Sequence, residues 1–227
     1  MRPLLYLALT LLSLVPICPA ALVASWNFNE LAITTAGPPG SGGIPTSLAA
    51  STGSGLLLLD GWAGNLDDFA GSNLNATVDE VAGPSLSLIA GSGSPYPGNG
   101  SRITLRISLS GMRDAILSFA TQSTATGFNH NQLSWSTDGS LFTAFDSPYA
   151  PGTSYAVQSF DLAGIEALDG APDVWLQLAF DGATGASGNN RIDNLRIEAV
   201  PEPSALWLLL AAGLLALRRH RYTAPST

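Results

Sequence analysis

The chain has 227 residues, 46% hydrophobic and 11% charged, with a formal net charge of −8. That is enough apolar material for one ordinary domain with its own core, and the acidic balance argues against nucleic acid and anionic lipid as partners. A single cysteine, Cys18, excludes an intrachain disulfide framework and a multi-thiolate metal site.

The chain opens on Met1-Arg2, an apolar run over Leu4–Val15, and Cys18-Pro19-Ala20. A positive start, a short apolar stretch and a small residue at the end make a secretory signal peptide, with cleavage expected after Ala20, and Ala21 or Ala24 as alternatives. Val15-Pro16-Ile17 lacks the small residues expected before a lipidated cysteine, so Cys18 leaves with the leader. Over residues 21–200, five arginines face 16 acids, a net charge of −11.

The first strand is expected at Leu22–Phe28, where Ala24, Trp26 and Phe28 share a face. Ala36–Gly43 is Gly/Pro-rich and reads as a loop. Leu56–Asp60 is a short apolar strand, Asp60–Leu74 an ordered loop holding Trp62 and Phe69, and Ser85–Ala90 another strand. Arg102–Ser110 alternates strictly, with Ile103, Leu105, Ile107 and Leu109 on one side, as a half-buried strand requires. Ala115–Thr121 follows. Gln132–Ser136 and Leu141–Phe145 flank Asp138-Gly139, a hairpin turn signal in which both central residues take positive φ. Ala156–Leu162, the alternating Asp173–Asp181, and Asn190–Ala199 complete the set. Helical periodicity is missing from residues 21–200. The pattern predicts an all-β, antiparallel β-sandwich at 21–199, jelly-roll-like because the loops are long and a Cys–Trp–Cys pattern is lacking.

Val200-Pro201-Glu202-Pro203-Ser204 follows. Each proline lacks an N–H and biases its predecessor toward extended geometry, so this stretch is expected to leave the sheet. Ser204 suits a helix N-cap. Ala205–Leu217 is an uncharged apolar helix of 13 residues, short against the about 20 needed to span a bilayer. Arg218, Arg219 and Arg221 close it and favour the cytoplasmic side.

Pro201, Glu202 and Pro203, then the short apolar helix, then the arginines, resemble the PEP-CTERM sorting signal of Gram-negative bacteria. The resemblance makes residues 200–227 a sorting tail. It implies recognition and cleavage by an exosortase, transient residence in the inner membrane, and export to the cell surface or matrix, linked to exopolysaccharide or biofilm. The body also resembles ectodomains found before such tails. The similarity is carried by Thr126-Gly127-Phe128-Asn129, Gln132–Gly139, Phe180–Thr184 and Gly188–Leu195. It implies a sandwich of the carbohydrate-binding jelly-roll type and supplies no catalytic residue.

The candidate sites are few. His130 is the one histidine before the tail and lacks a Gly-x-Ser-x-Gly elbow, so it reads as a solvated loop residue. Asp67-Asp68 and Asp79-Glu80 are adjacent acids whose side chains point apart when extended, which makes neither a persuasive glycosidase pair. Catalytic residues are therefore assigned to none of these. Asp193 lies in phase with Leu195, Ile197 and Ala199, the apparent inward face, where a carboxylate must find donors or a cation. The jelly-roll resemblance implies a structural calcium between first and last strands, held by Asp193 with Asn27, Asn29 or Glu30. Capping of the Gly188–Asn190 turn, or pairing with Arg191, is the plainer role for Asp193. Trp62, Trp175, Tyr96 and Tyr149 are candidates for stacking on sugar rings, although packing explains each of them singly. The reading favours an exported, non-enzymatic binding or structural protein. A secreted polysaccharide hydrolase and a simple single-pass membrane-anchored protein are the alternatives.

Overall fold

A computed structural model describes residues 18–31, 33, 45–62 and 64–202. Residues 1–17 of the expected leader, the 36–43 loop, Pro203, the apolar helix and the terminal arginines lie outside the described residues. The strands in chain order are β1 (Ala21–Trp26), β2 (Ser47–Ala49), β3 (Thr52–Gly53), β4 (Gly55–Asp60), β5 (Leu66–Asp67), β6 (Leu86–Ile89) and β7 (Arg102–Ile107). They continue with β8 (Met112–Ser123), β9 (His130–Ser136), β10 (Thr143–Tyr149), β11 (Ala156–Asp161), β12 (Val174–Asp181) and β13 (Asn189–Pro201). The ten strands expected from the sequence all form, and the short β2, β3 and β5 join them.

Two antiparallel sheets make the sandwich. One has the order β11-β8-β13-β1-β3, with β6 also on β13 and β5 on β6; the other runs β10-β9-β12-β7-β4-β2. The facing sides carry the alternating apolar residues: Leu57, Ile103, Leu105, Leu176 and Leu178 from one sheet, Leu86, Leu117, Phe119, Leu195 and Ile197 from the other, all buried. Period-two patterning places these side chains on one face because successive Cβ atoms alternate across a strand.

The axis of the larger sheet is β13, which pairs with β8 along one side and with β6 and then β1 along the other. At the changeover its register to β8 shifts between Asp193 and Arg196, and Asn194 takes φ +49°. This bulge corrects the phase assigned to Asp193. Ile192 faces the core opposite Thr121, Asp193 opposes Ala120 on the outer face, and Leu195 and Ile197 return to the core. An extra residue in one strand inverts the alternation, so Asp193 is buried beneath the loop of residues 68–84 and not inside the sandwich.

Two further expectations need correction. Val200 and Pro201 stay in the sheet, opposite Arg113 and Met112, and the Glu202 N–H donates to Gly111 O at 2.8 Å. Proline is tolerated here because β1 ends its pairing at Ala199, leaving this flank of β13 as an edge that needs no donor. The Asp138-Gly139 hairpin is also longer than a two-residue turn. Only Gly139 has positive φ, and the Asp138 carboxylate accepts from the Ser140 and Leu141 N–H groups and the Ser136 hydroxyl. Those donors, the Leu141 and Ser140 N–H groups first, hold its pKa below the usual carboxylate value.

Candidate functional site

The four aromatic candidates do not share a surface. Trp62 is 1% exposed. Its indole N–H donates to Arg102 O at 2.9 Å, and its ring meets Phe128 and Phe180 edge-on, each at 5.7 Å. It anchors the loop after β4 into the core and cannot stack on a ligand. Tyr149 packs against Phe119 and Phe160, at 6.3 and 5.5 Å. Its enclosed hydroxyl has no partner among the described residues, and burial raises its pKa. Tyr96 is half-buried against the core in the loop before β7.

Trp175 alone lies on the outer face of the six-stranded sheet, out of phase with Val174, Leu176 and Leu178 as its position in β12 requires. It is half-exposed. The Arg106 guanidinium sits 4.9 Å from the ring centroid, a cation–π contact. Arg106 in turn donates to Asp173 Oδ1 through Nε and Nη2, at 3.2 and 2.8 Å. The Gly139 backbone packs against the indole, at a distance that a Cβ on that residue would violate. β12, β7 and the β9–β10 turn thus fix one aromatic plate. Register places Gln177, Thr104, Leu56 and Leu58 on the same face beside it. The Gln177 amide N–H donates to the Thr104 hydroxyl at 3.2 Å, which leaves its carbonyl oxygen for a ligand. Period two already separates Trp175, Arg106 and Gln177 from the core, so this face was legible in the sequence.

The second cluster lies where the loop of residues 68–84 covers the β13 bulge. Asp193 Oδ2 accepts from Ser72 N–H at 2.6 Å, and Oδ1 from Asn194 N–H at 2.9 Å. Burial pushes Asp193 up to about 6 against an ordinary 3.8; the two backbone donors pull it down, and the Glu80 carboxylate adds to the rise. Glu80 Oε1 accepts from the side-chain amides of Asn27 and Asn29, and Oε2 from the Thr77 hydroxyl and N–H. Burial raises Glu80, but the Thr77 and Asn27 donors and the Arg196 charge outweigh it and leave its pKa below the usual value.

Asn27, Asn29 and Asp193 therefore converge on one loop, whereas Glu30 is exposed and lines a groove beside Trp26 and Leu48. Glu80 takes the place assigned to Glu30. Its signal was present in the sequence as Thr77-x-x-Glu80, the spacing at which a hydroxyl and a carboxylate bond reciprocally to a turn. Gly71 and Gly83 complete the cradle. A Cβ at Gly71 would strike Asp193 Oδ2, and one at Gly83 would strike Asn29 Oδ1. Among the described residues no group of three or more His, Cys, Asp or Glu side chains gathers as a metal site, and the Asp193 and Glu80 carboxylates are met by the N–H and O–H donors just named. His130 is exposed at the start of β9, paired with Asp181 of β12.

Residues 199–221 match the PEP-CTERM protein-sorting motif. Curated proteins give no match to the chain. Among solved structures, the K3 cleaved adhesin domain of Lys-gingipain from Porphyromonas gingivalis w83 is similar at 15% identity and TM-score 0.46, covering 79% of this chain and 99% of that one. The CBM22-1 xylan-binding domain of Paenibacillus barcinonensis Xyn10C aligns at 10% identity and TM-score 0.41, covering 82% and 99%. TmCBM61 in complex with β-1,4-galactotriose aligns at 8% identity and TM-score 0.41, covering 62% and 86%.

Proposed function

We propose that the protein is exported and processed by an exosortase at its PEP-CTERM motif. It then serves at the cell surface or in the extracellular matrix as a non-enzymatic binding component linked to exopolysaccharide. The motif at 199–221 supports the sorting half. The binding half rests on one observation: the Trp175 indole, held half-exposed by Arg106 and Gly139, stands beside Gln177 on an open sheet face. An immobilised ring stacks on a sugar face with little entropy left to lose, while amide and guanidinium groups bond hydroxyls. A neutral glycan suits this acidic domain, since it brings no charge to be repelled.

A titration of the protein with a panel of neutral oligosaccharides tests this reading. Trp175→Ala is expected to weaken binding about tenfold or more, on the order of 1.4 kcal/mol, with the melting temperature nearly unchanged. Equal affinity in the variant refutes the site. Release of reducing ends during the same titration would favour a hydrolase instead.

The same proposal includes a structural calcium ion in the Asp193 cradle, with Asp193, Glu80 and Asn29 as its side-chain holders. In the unfolded chain Asp193 loses its proton near 3.8, and in the fold only near 6. Between these values the folded state binds more protons, so stability falls as pH rises through the window. Calcium would offset that loss by neutralising the carboxylate. In chelator, the melting temperature of the wild type should fall between about pH 4 and pH 6 relative to Asp193→Asn. At pH 7, calcium should raise it in the wild type and not in the variant. Identical melting curves with calcium and with chelator exclude the ion.

A further inference from the structure

β11 ends the larger sheet, and no described strand pairs with its free side. Edge strands are usually blunted by shortness, bulges, proline or charge. β2 and β3 are three and two residues long. β10 breaks register between Phe145 and Tyr149, holds Asp146 at φ +55°, and contains Pro148. Of these devices β11 has only a single terminal charge, Asp161. Its six residues pair with β8 without a register shift, and it contains no proline, glycine or basic residue.

The parity of the edge is fixed. Leu162 N–H donates to Ala115 O at 2.9 Å, continuing the ladder in which Phe160 opposes Leu117. Phe160 and Gln158 therefore direct their backbone groups to β8, and Val157, Ser159 and Asp161 direct theirs outward. Phe160 is buried, while Val157 is 49% exposed on the outer sheet face. Charge selects the occupant. Residues 147–160 carry no charge in a domain of net −11, and the Asp161 carboxylate turns back to accept from Ala163 N–H at 3.0 Å. This edge is where two like-charged copies approach with least repulsion.

We propose that β11 pairs antiparallel with β11 of a second copy, joining the two larger sheets into one. A two-fold axis through Ser159 opposes Ser159 to its own copy and Val157 to Asp161. This register pairs all three outward residues within the strand, for about six hydrogen bonds, and leaves Ala156 opposite Leu162 just beyond it. Centring on Gln158 would use about four.

The test uses the full chain with Cys18→Ser, in mild detergent, so that an introduced cysteine is the sole thiol. Opposed Cα atoms in such a pair lie about 5.5 Å apart, within disulfide range. Ser159→Cys should form a disulfide dimer on mild oxidation. Val157→Cys alone should not, and a mixture of Val157→Cys with Asp161→Cys should. By sedimentation, the chain without added cysteine should show a concentration-dependent dimer that Ser159→Lys abolishes without moving the melting temperature. A monomer that resists oxidation at Ser159→Cys, equal cross-linking at positions 157 and 159, or a dimer that survives Ser159→Lys overturns the proposal. Cross-linking to a different polypeptide in cell extract does so as well.

Discussion

Replacing Trp62 with alanine should cost about 3–5 kcal/mol, the usual range for a fully buried aromatic. The same change at Trp175 should cost less than about 1 kcal/mol, in keeping with a half-buried residue on the outer sheet face. The difference follows from surroundings. Trp62 meets Phe128 and Phe180 edge-on and caps Arg102 O. Its removal opens a cavity among side chains from three strands and loops, and leaves a carbonyl without its donor. In a domain whose whole stability is about 5–15 kcal/mol, this should lower the melting temperature by on the order of 10 °C. Thermal unfolding of both variants under one buffer decides it. If Trp175→Ala unfolds first, the two tryptophans have been given each other's roles, and the sugar-facing surface must be sought near residue 62.

Glu202→Ala should block processing outright and leave the fold alone. The Glu202 contact that ties the chain to the sheet is made by its backbone, N–H to Gly111 O, and alanine keeps it. The side chain lies beside Gly170 and makes no hydrogen bond among the described residues. Stability should therefore change by less than about 0.5 kcal/mol, while a sorting enzyme loses the one charged group in Pro201-Glu202-Pro203. Mass spectrometry of the wild-type protein from its native envelope should show a C-terminus near Pro203. Trp207 and the arginines from Arg218 onward should be missing. The variant should be recovered full length from the inner membrane. An intact tail through Thr227 on most mature wild-type molecules would reduce the motif to part of a plain anchor.

Strands were readable wherever alternation ran long, as in β7 and β12, because one buried face leaves a two-residue period. The bulge at Asp193–Asn194 left no such trace. Asparagine at positive φ is a conformational choice made by tertiary pairing, here the exchange of β6 for β1 beside β13. Without it, Asp193 was assigned to the wrong side of the sheet although its need for partners was correctly inferred. Trp62 was misread for a different reason. It follows the end of β4, where a loop can carry a side chain inward or outward and periodicity gives no guidance. Glu80 was passed over because its neighbour Asp79 invited reading as a carboxylate pair, when the informative spacing was to Thr77.

For a chain exported as proposed, the pairing of β13 with β1, β6 and β8 also sets an order of events. A chain drawn through a translocation channel emerges from its amino end, so β1 waits outside for a partner that arrives after every other described strand. Until Asn189–Pro201 has crossed, β1 has only the two-residue β3 beside it, and the larger sheet lacks its centre. Contacts this distant in sequence close slowly. Because β13 runs to Pro201, inside the matched motif at 199–221, the sandwich is complete only once the start of that motif has emerged.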